Sequence, residues 1–228
     1  MPTRRTLLAP YSGLWPLASL DGGIIGWFGG LGSRRQAHLT GMVDQMNSLT
    51  GYLLVASAQL RDPNFVKTVV LILQHSDKGG LGLILNRPTS TSISDAWGQV
   101  SDLDCQRSDP LHHGGPCESP LMVVHTHEAA SQIAVTDEIH FCTEKQNVEM
   151  LIVQEAEPVR FFVGCAGWAP GQLEQEMETG SWLTLPATIQ QVFGSDENLW
   201  IDVTRQIARA VTYSTLNPKI IPKDPSMN

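Results

Sequence analysis

The chain has 228 residues, 42% of them hydrophobic and 17% charged, enough apolar material to bury a core, which excludes a wholly disordered polypeptide. Lys and Arg number 15 against 23 Asp and Glu, a formal net charge of −8, which disfavours a broad surface for phosphate backbones. The four cysteines (Cys105, Cys117, Cys142 and Cys165) are too few for a disulfide scaffold, and none is spaced as C-x-x-C, which argues against zinc ribbons and thioredoxin-like pairs. This balance points to a globular, cytoplasmic protein.

Residues 1–46 differ in character from the rest of the chain. They hold Arg4, Arg5, Arg34 and Arg35, the breakers Pro10 and Pro16, and a glycine-rich run from Gly22 to Gly30. No stretch reaches the roughly 18–20 apolar residues needed to cross a bilayer. Arg4-Arg5 ahead of Leu7-Leu8 have the look of a secretory signal, but the prolines interrupt the apolar segment and Asp21 closes it. The segment reads as a disordered N-terminal extension.

Regular patterning starts near residue 50. Tyr52–Ala56 is a short buried strand by composition, and Asp62-Pro63-Asn64 punctuates the chain after it. Thr68–Leu73 and Leu81–Leu85 are apolar on both faces, with Ser76–Gly80 supplying a turn between them. They predict a hairpin in the interior of a sheet that is covered on both sides. Ser92–Val100 predicts a short helix and Pro120–His125 a strand. Thr143 and Gln146 have capping-box spacing ahead of a helix bearing Val148, Leu151 and Ile152, with Pro158 beyond its end. Val159–Val163 is a further strand, and a glycine loop leads to a helix near Pro170. Trp200, Val203, Ile207 and Ala210 form the apolar stripe of a last helix. The layout is α+β: a single compact layered domain over 47–213, with a mixed, mostly antiparallel sheet flanked by helices, then an extended tail over 214–228.

Four segments carry side chains suited to chemistry. Asp62 and Asn64 have the makings of an Asx turn, and equally of polar groups at a cleft mouth. Asn86 and Arg87 end a buried strand before Pro88, so Arg87 is held more rigidly than a surface arginine. It suits either a bound anion or a neighbour such as Asp62. His112, His113, His125 and His127 invite a metal, yet neighbouring strand residues face opposite ways, and His125 with His127 supply only two ligands on one face. No metal site is expected. Gly164–Glu176 is the most specific segment: a strand, a glycine loop and a helix start. It lacks the Lys-Ser/Thr pair of a P-loop, and Glu174 and Glu176 would oppose a phosphate there. Leu173 and Met177 share an inward edge, and Gln172 and Glu176 a polar one. Gly114, Gly115, Pro116, Gly167, Pro170 and Gly171 read as structural turns. Cys117 and Cys165 sit beside glycines, but a buried inert thiol is the default for free cysteine. No G-x-S-x-G elbow is present.

The series Asp62-Pro63-Asn64-Phe65, Gly82–Pro88, Gly114-Gly115-Pro116, His125 and Gly167–Glu174 resembles the AlgH/YqgE family of bacterial proteins over about residues 50–205. The resemblance implies one compact α+β domain, a cytoplasmic location and no established reaction, with a family name drawn from regulation of alginate synthesis. It also implies that Cys117 and Cys165 are departures, at positions where members usually carry valine and an aromatic residue.

The expectation is therefore a regulatory or binding protein without catalytic residues or cofactor. Its cleft would be lined by Asp62, Asn64, Asn86, Arg87, His125, Trp168, Gln172 and Glu176. It would hold a small ligand or a protein partner, with no direct contact to nucleic acid or membrane. The competing expectation is a hydrolase or transferase with Glu176 or His125 as general base and Arg87 clamping an anion.

Overall fold

The computed structural model describes residues 48–98, 101 and 105–215. The expected extension over 1–46 lies outside the described residues, as does the expected tail beyond Thr215. Eleven strands and five α-helices form the described part. β1 (Tyr52–Ala56), β2 (Val69–Ser76), β3 (Gly79–Ile84), β10 (Ala166–Trp168) and β11 (Trp182–Pro186) make a five-stranded antiparallel sheet in the order β10-β3-β2-β1-β11. β4 (Pro88–Ser92), β5 (Pro110–His113), β6 (Met122–His125), β7 (Ile133–Ala134), β8 (His140–Cys142) and β9 (Val159–Val163) make a second sheet. Its order is β4-β5-β9-β6-β8-β7, with β5 and β9 as its one parallel pair. The fold is α+β with mostly antiparallel strands, and the strands divide between two sheets where one was expected.

The β2–β3 hairpin pairs Ser76 with Gly79 across Asp77-Lys78, and lies inside its sheet between β1 and β10. Alternation along these strands sends two apolar sets in opposite directions. Leu53, Val55, Leu71 and Leu83 point into a central cluster, where they meet Met122, Val124, Phe141 and Phe162 of the second sheet. Leu54, Val70, Ile72 and Ile84 point outward and are covered by Leu173 of helix α3 (Gln172–Glu178) and by Trp168 and Trp182. The second sheet is covered on its outer face by Trp97 of α1 (Ile93–Trp97) and by Val148, Leu151 and Ile152 of α2 (Lys145–Val153). Each fully buried Leu, Ile or Phe side chain stabilises the fold by roughly 1.5–3 kcal/mol relative to exposure. The both-faces-apolar pattern of β2 and β3 is thus the sequence of a middle layer.

Three local expectations are corrected. The Thr143/Gln146 spacing does not cap α2. Glu144 is the N-cap and makes no side-chain cap bond, while the Thr143 hydroxyl donates to the Leu121 carbonyl, tying the loop to β6. The capping box forms instead at α4 (Ile189–Phe193), where Thr188 and Gln191 satisfy one another's backbone N–H groups. Helix α5 (Leu199–Thr215) runs two residues into the expected tail. Its stripe packs only over the N-terminal half: Val203 is buried and Ile207 half-buried, but Ala210 is exposed.

Candidate functional site

Asp62 and Asn64 lie on an exposed turn between β1 and β2. Asp62 Oδ1 accepts the Asn64 N–H at 2.8 Å, and the Asp62 carbonyl accepts the N–H groups of Phe65 and Val66. Asn86, just past β3, locks this turn to the sheet. Its Oδ1 accepts the Val69 N–H at 2.9 Å and its Nδ2 donates to the Lys67 carbonyl at 2.9 Å. Arg87 is half-buried, and its Nη2 donates to the Pro63 carbonyl at 3.2 Å, not to Asp62. Among the described residues this is its one side-chain bond, so most of the five guanidinium donors remain for a ligand.

Phe65 joins that turn to the segment after β10. Its ring stacks on Trp168 with centroids 6.2 Å apart and meets Trp182 edge-on at 5.5 Å. Both tryptophans are buried by their ring bodies, and both aim their indole N–H at one carboxylate. Glu176 Oε2 accepts Trp168 Nε1 at 3.0 Å and Trp182 Nε1 at 2.8 Å, while its Oε1 accepts Gln172 Nε2 at 2.9 Å. Gln172 Oε1 in turn accepts the Ala169 N–H at 3.0 Å. The i,i+4 pairing of Gln172 with Glu176 is what helical spacing expects. Gly171 starts α3 in the left-handed region at φ +74°, a conformation that favours glycine.

The turn bearing Asp62 and Asn64, tied to Asn86 and Arg87, thus connects through Phe65 to Trp168 and Trp182, and through their indoles to Glu176 and Gln172. His125 belongs elsewhere. It sits on β6 of the second sheet with no exposure to solvent, its ring 6.0 Å from His140 and 6.5 Å from His127. Its Nδ1 accepts the His127 N–H at 3.2 Å, and its buried Nε2 has no partner among the described residues. Burial, then the His140 and His127 charges, push its pKa down to about 4. A sealed, neutral imidazole cannot reach a substrate arriving from water. Glu176 has three of its about four lone-pair sites taken by N–H donors, two on Oε2 and one on Oε1. No set of three His, Cys, Asp or Glu among the described residues has the arrangement of a metal site.

The glycine turns have separate tasks. An added Cβ at Gly114 would meet the Gly164 carbonyl oxygen at 2.3 Å, and one at Gly115 (φ +151°) the Cys165 carbonyl carbon at 2.3 Å. The loop after β5 and the step from β9 to β10 thus press backbone against backbone. Pro116 bends the chain beside them, and Pro170 precedes α3. Gly167 lies not in a turn but inside β10, paired with Leu81.

Phe65, Trp182 and Asp196 complete the polar and aromatic framework, and composition does not single them out. His112 Nε2 meets Asp196 Oδ2 at 2.9 Å and Arg160 Nη1 lies 2.5 Å from Oδ1, so a carboxylate pairs with a buried guanidinium. Arg160 also donates to the Leu85 carbonyl at 3.0 Å and to the Gly194 carbonyl. Burial alone would raise the Asp196 pKa, but the His112 hydrogen bond and the Arg160 charge outweigh it and hold the carboxyl below the usual range. His113, the next residue on β5, faces outward, as strand alternation requires.

The fold is α+β, with two sheets packed across a shared core and a tryptophan–carboxylate cluster over the outer face of one. The chain belongs to the AlgH-like family, whose model matches residues 53–211. A UPF0301 protein of Chlorobaculum tepidum is 37% identical over 185 residues, covering 78% of this chain and 95% of the relative. One of Streptomyces coelicolor is 35% identical over 205 residues, covering 83% and 100%. The solution structure of AlgH from Pseudomonas aeruginosa superposes with a TM-score of 0.59 at 25% identity, over 84% of this chain and 98% of that one. No helix among the described residues is long and apolar enough to cross a membrane.

Proposed function

We propose that this AlgH-like chain is a cytoplasmic, non-enzymatic binding protein with a regulatory role. Its binding surface runs from the Asp62–Phe65 turn and Arg87 across to Gln172 and Glu176. The observation that carries this reading is the state of Glu176, a half-buried carboxylate with three of its about four lone-pair sites engaged by Trp168, Trp182 and Gln172. A group arranged in this way orders an aromatic floor and offers hydrogen bonds, whereas a general base needs a free lone pair aimed at a proton. Arg87 supplies the complementary cation, because a partly exposed guanidinium with unspent donors suits a carboxylate or phosphate on a small ligand or partner segment. The net charge of −8 supports a surface that does not itself take up nucleic acid.

A broad hydrolase and transferase substrate screen tests the reading. No turnover is expected with the purified chain. Turnover that disappears in both Glu176→Gln and Arg87→Ala would replace the binding protein with an enzyme. Random duplex DNA is expected to bind only weakly, and tight association with a steep salt dependence would contradict that part.

A further inference from the structure

Cys117 and Cys165 come from segments distant in the chain and form an isolated antiparallel bridge. The bridge exchanges both backbone hydrogen bonds: Cys117 N–H to the Cys165 carbonyl at 2.9 Å, and Cys165 N–H to the Cys117 carbonyl at 2.9 Å. Residues opposed in this manner have Cα atoms about 5.5 Å apart, inside the range a disulfide spans. The packing enforces this approach, since Gly114, Gly115 and Gly164 remove every Cβ that would hold the two backbones apart. The side chains are close enough for Cys117 to help raise the Cys165 pKa, after burial. Accessibility differs between them, Cys165 being buried and Cys117 half-exposed. Among the described residues no such backbone bridge joins the remaining cysteines: Cys142 is buried in the outer core of the second sheet, and Cys105 packs against that core.

We infer that Cys117 and Cys165 are a reversible dithiol–disulfide pair that reacts with low-molecular-weight disulfides and fastens the seam between the two sheets. The accessible Cys117, as thiolate, attacks one sulfur of the small disulfide, forming a mixed disulfide and releasing one small thiol. Cys165 then loses its proton to water and attacks Cys117 Sγ, breaking the mixed disulfide and releasing the second small thiol. Two protein thiols are oxidised and one small disulfide is reduced to two thiols, so electrons and hydrogens balance. Burial pushes the Cys165 thiol up to about 12, so the second step is the slow one and accelerates with rising pH. Thiol–disulfide exchange runs in both directions, so an excess of reduced small thiol opens the link again.

The test treats the full chain with oxidised glutathione under native conditions, quenches free thiols by alkylation, and reads intact mass and fragment-ion maps. The expected product has lost two hydrogens, links Cys117 to Cys165, retains no glutathione, and reverts with reduced glutathione. Cys165→Ser, or Cys165→Ala should the serine variant fold poorly, is expected to accumulate one glutathione on Cys117. A wild-type chain that keeps glutathione on Cys117, stays fully reduced, or joins either cysteine to Cys105 or Cys142 overturns the assignment.

Discussion

Glu176 and Asp196 are both partly buried carboxylates with several donors around them, yet they do opposite things. Asp196 faces cationic or ionisable partners, the buried Arg160 and His112, and joins the loop after α4 to the second sheet. Glu176 faces neutral donors, two indoles and an amide, on the outer side of the first sheet. A buried guanidinium without its counter-ion is a large penalty, so the Asp196 cluster is fixed by the needs of folding. Neutral hydrogen bonds at a half-open edge are individually modest, and water or a ligand can replace them. The difference separates a fastener from the surface proposed to exchange partners.

Substitution should expose that difference in size. Asp196→Ala leaves Arg160 buried and uncompensated and is expected to lower stability by about 3–5 kcal/mol in urea titration. A loss no larger than that of a surface mutation would put Asp196 in the same category as Glu176. Acid acts next. Because His125 is neutral in the fold with a pKa near 4, the unfolded chain takes up a proton first as pH falls below its ordinary value of about 6.5. The stability this site contributes is complete above about pH 6.5 and is lost progressively down to about pH 4. Its full extent is roughly 3 kcal/mol. His125→Phe should flatten that part of the pH–stability curve, and an unchanged slope would show that another group titrates there. The depressed Asp196 carboxyl acts in the same direction at lower pH, its contribution fading as pH falls through its native value.

Smaller effects belong to the outer face and to the helix caps. Trp182→Phe keeps an aromatic ring but removes one of three donors to Glu176 and leaves a void at a buried position, with an expected loss of about 1–3 kcal/mol. The same substitution should shift the indole resonance of Trp168, which shares Oε2. Thr188→Ala removes the capping box of α4, also at about 1 kcal/mol. It should leave the Trp168 signal unmoved. Coupling between Thr188 and that signal would show that the two regions are not separable.

Much of this is legible in the sequence, for identifiable reasons. β2 and β3 announce an interior hairpin because both of their faces are apolar, and the Asx turn at Asp62 and the Gln172–Glu176 edge come from spacing within a few residues. Contacts between distant segments leave no local mark. Asp196 sits in Ser195-Asp196-Glu197, a run that reads as a solvated loop, and only the fold brings Arg160 to it. Trp182 comes after a turn and reaches Glu176 through the placement of β11. Thr143 with Gln146 and Thr188 with Gln191 have identical spacing, but the Leu121 carbonyl claims the first threonine hydroxyl. His125 reads as a cleft residue and is sealed instead, because strand alternation fixes which face a side chain takes, not what covers it. The division into two sheets is equally hidden, since strand composition does not say which partner each strand chooses.

The claim that the outer face of the first sheet is a binding surface is tested most directly by the indole N–H resonances of Trp168 and Trp182. They can be followed while the labelled chain is titrated with a library of small anionic metabolites and short peptides. Compounds that bind are expected to shift those two signals together, and to lose affinity in Arg87→Ala. Ligands that leave both indoles unmoved while perturbing residues around Asp196 or His125 would contradict the account.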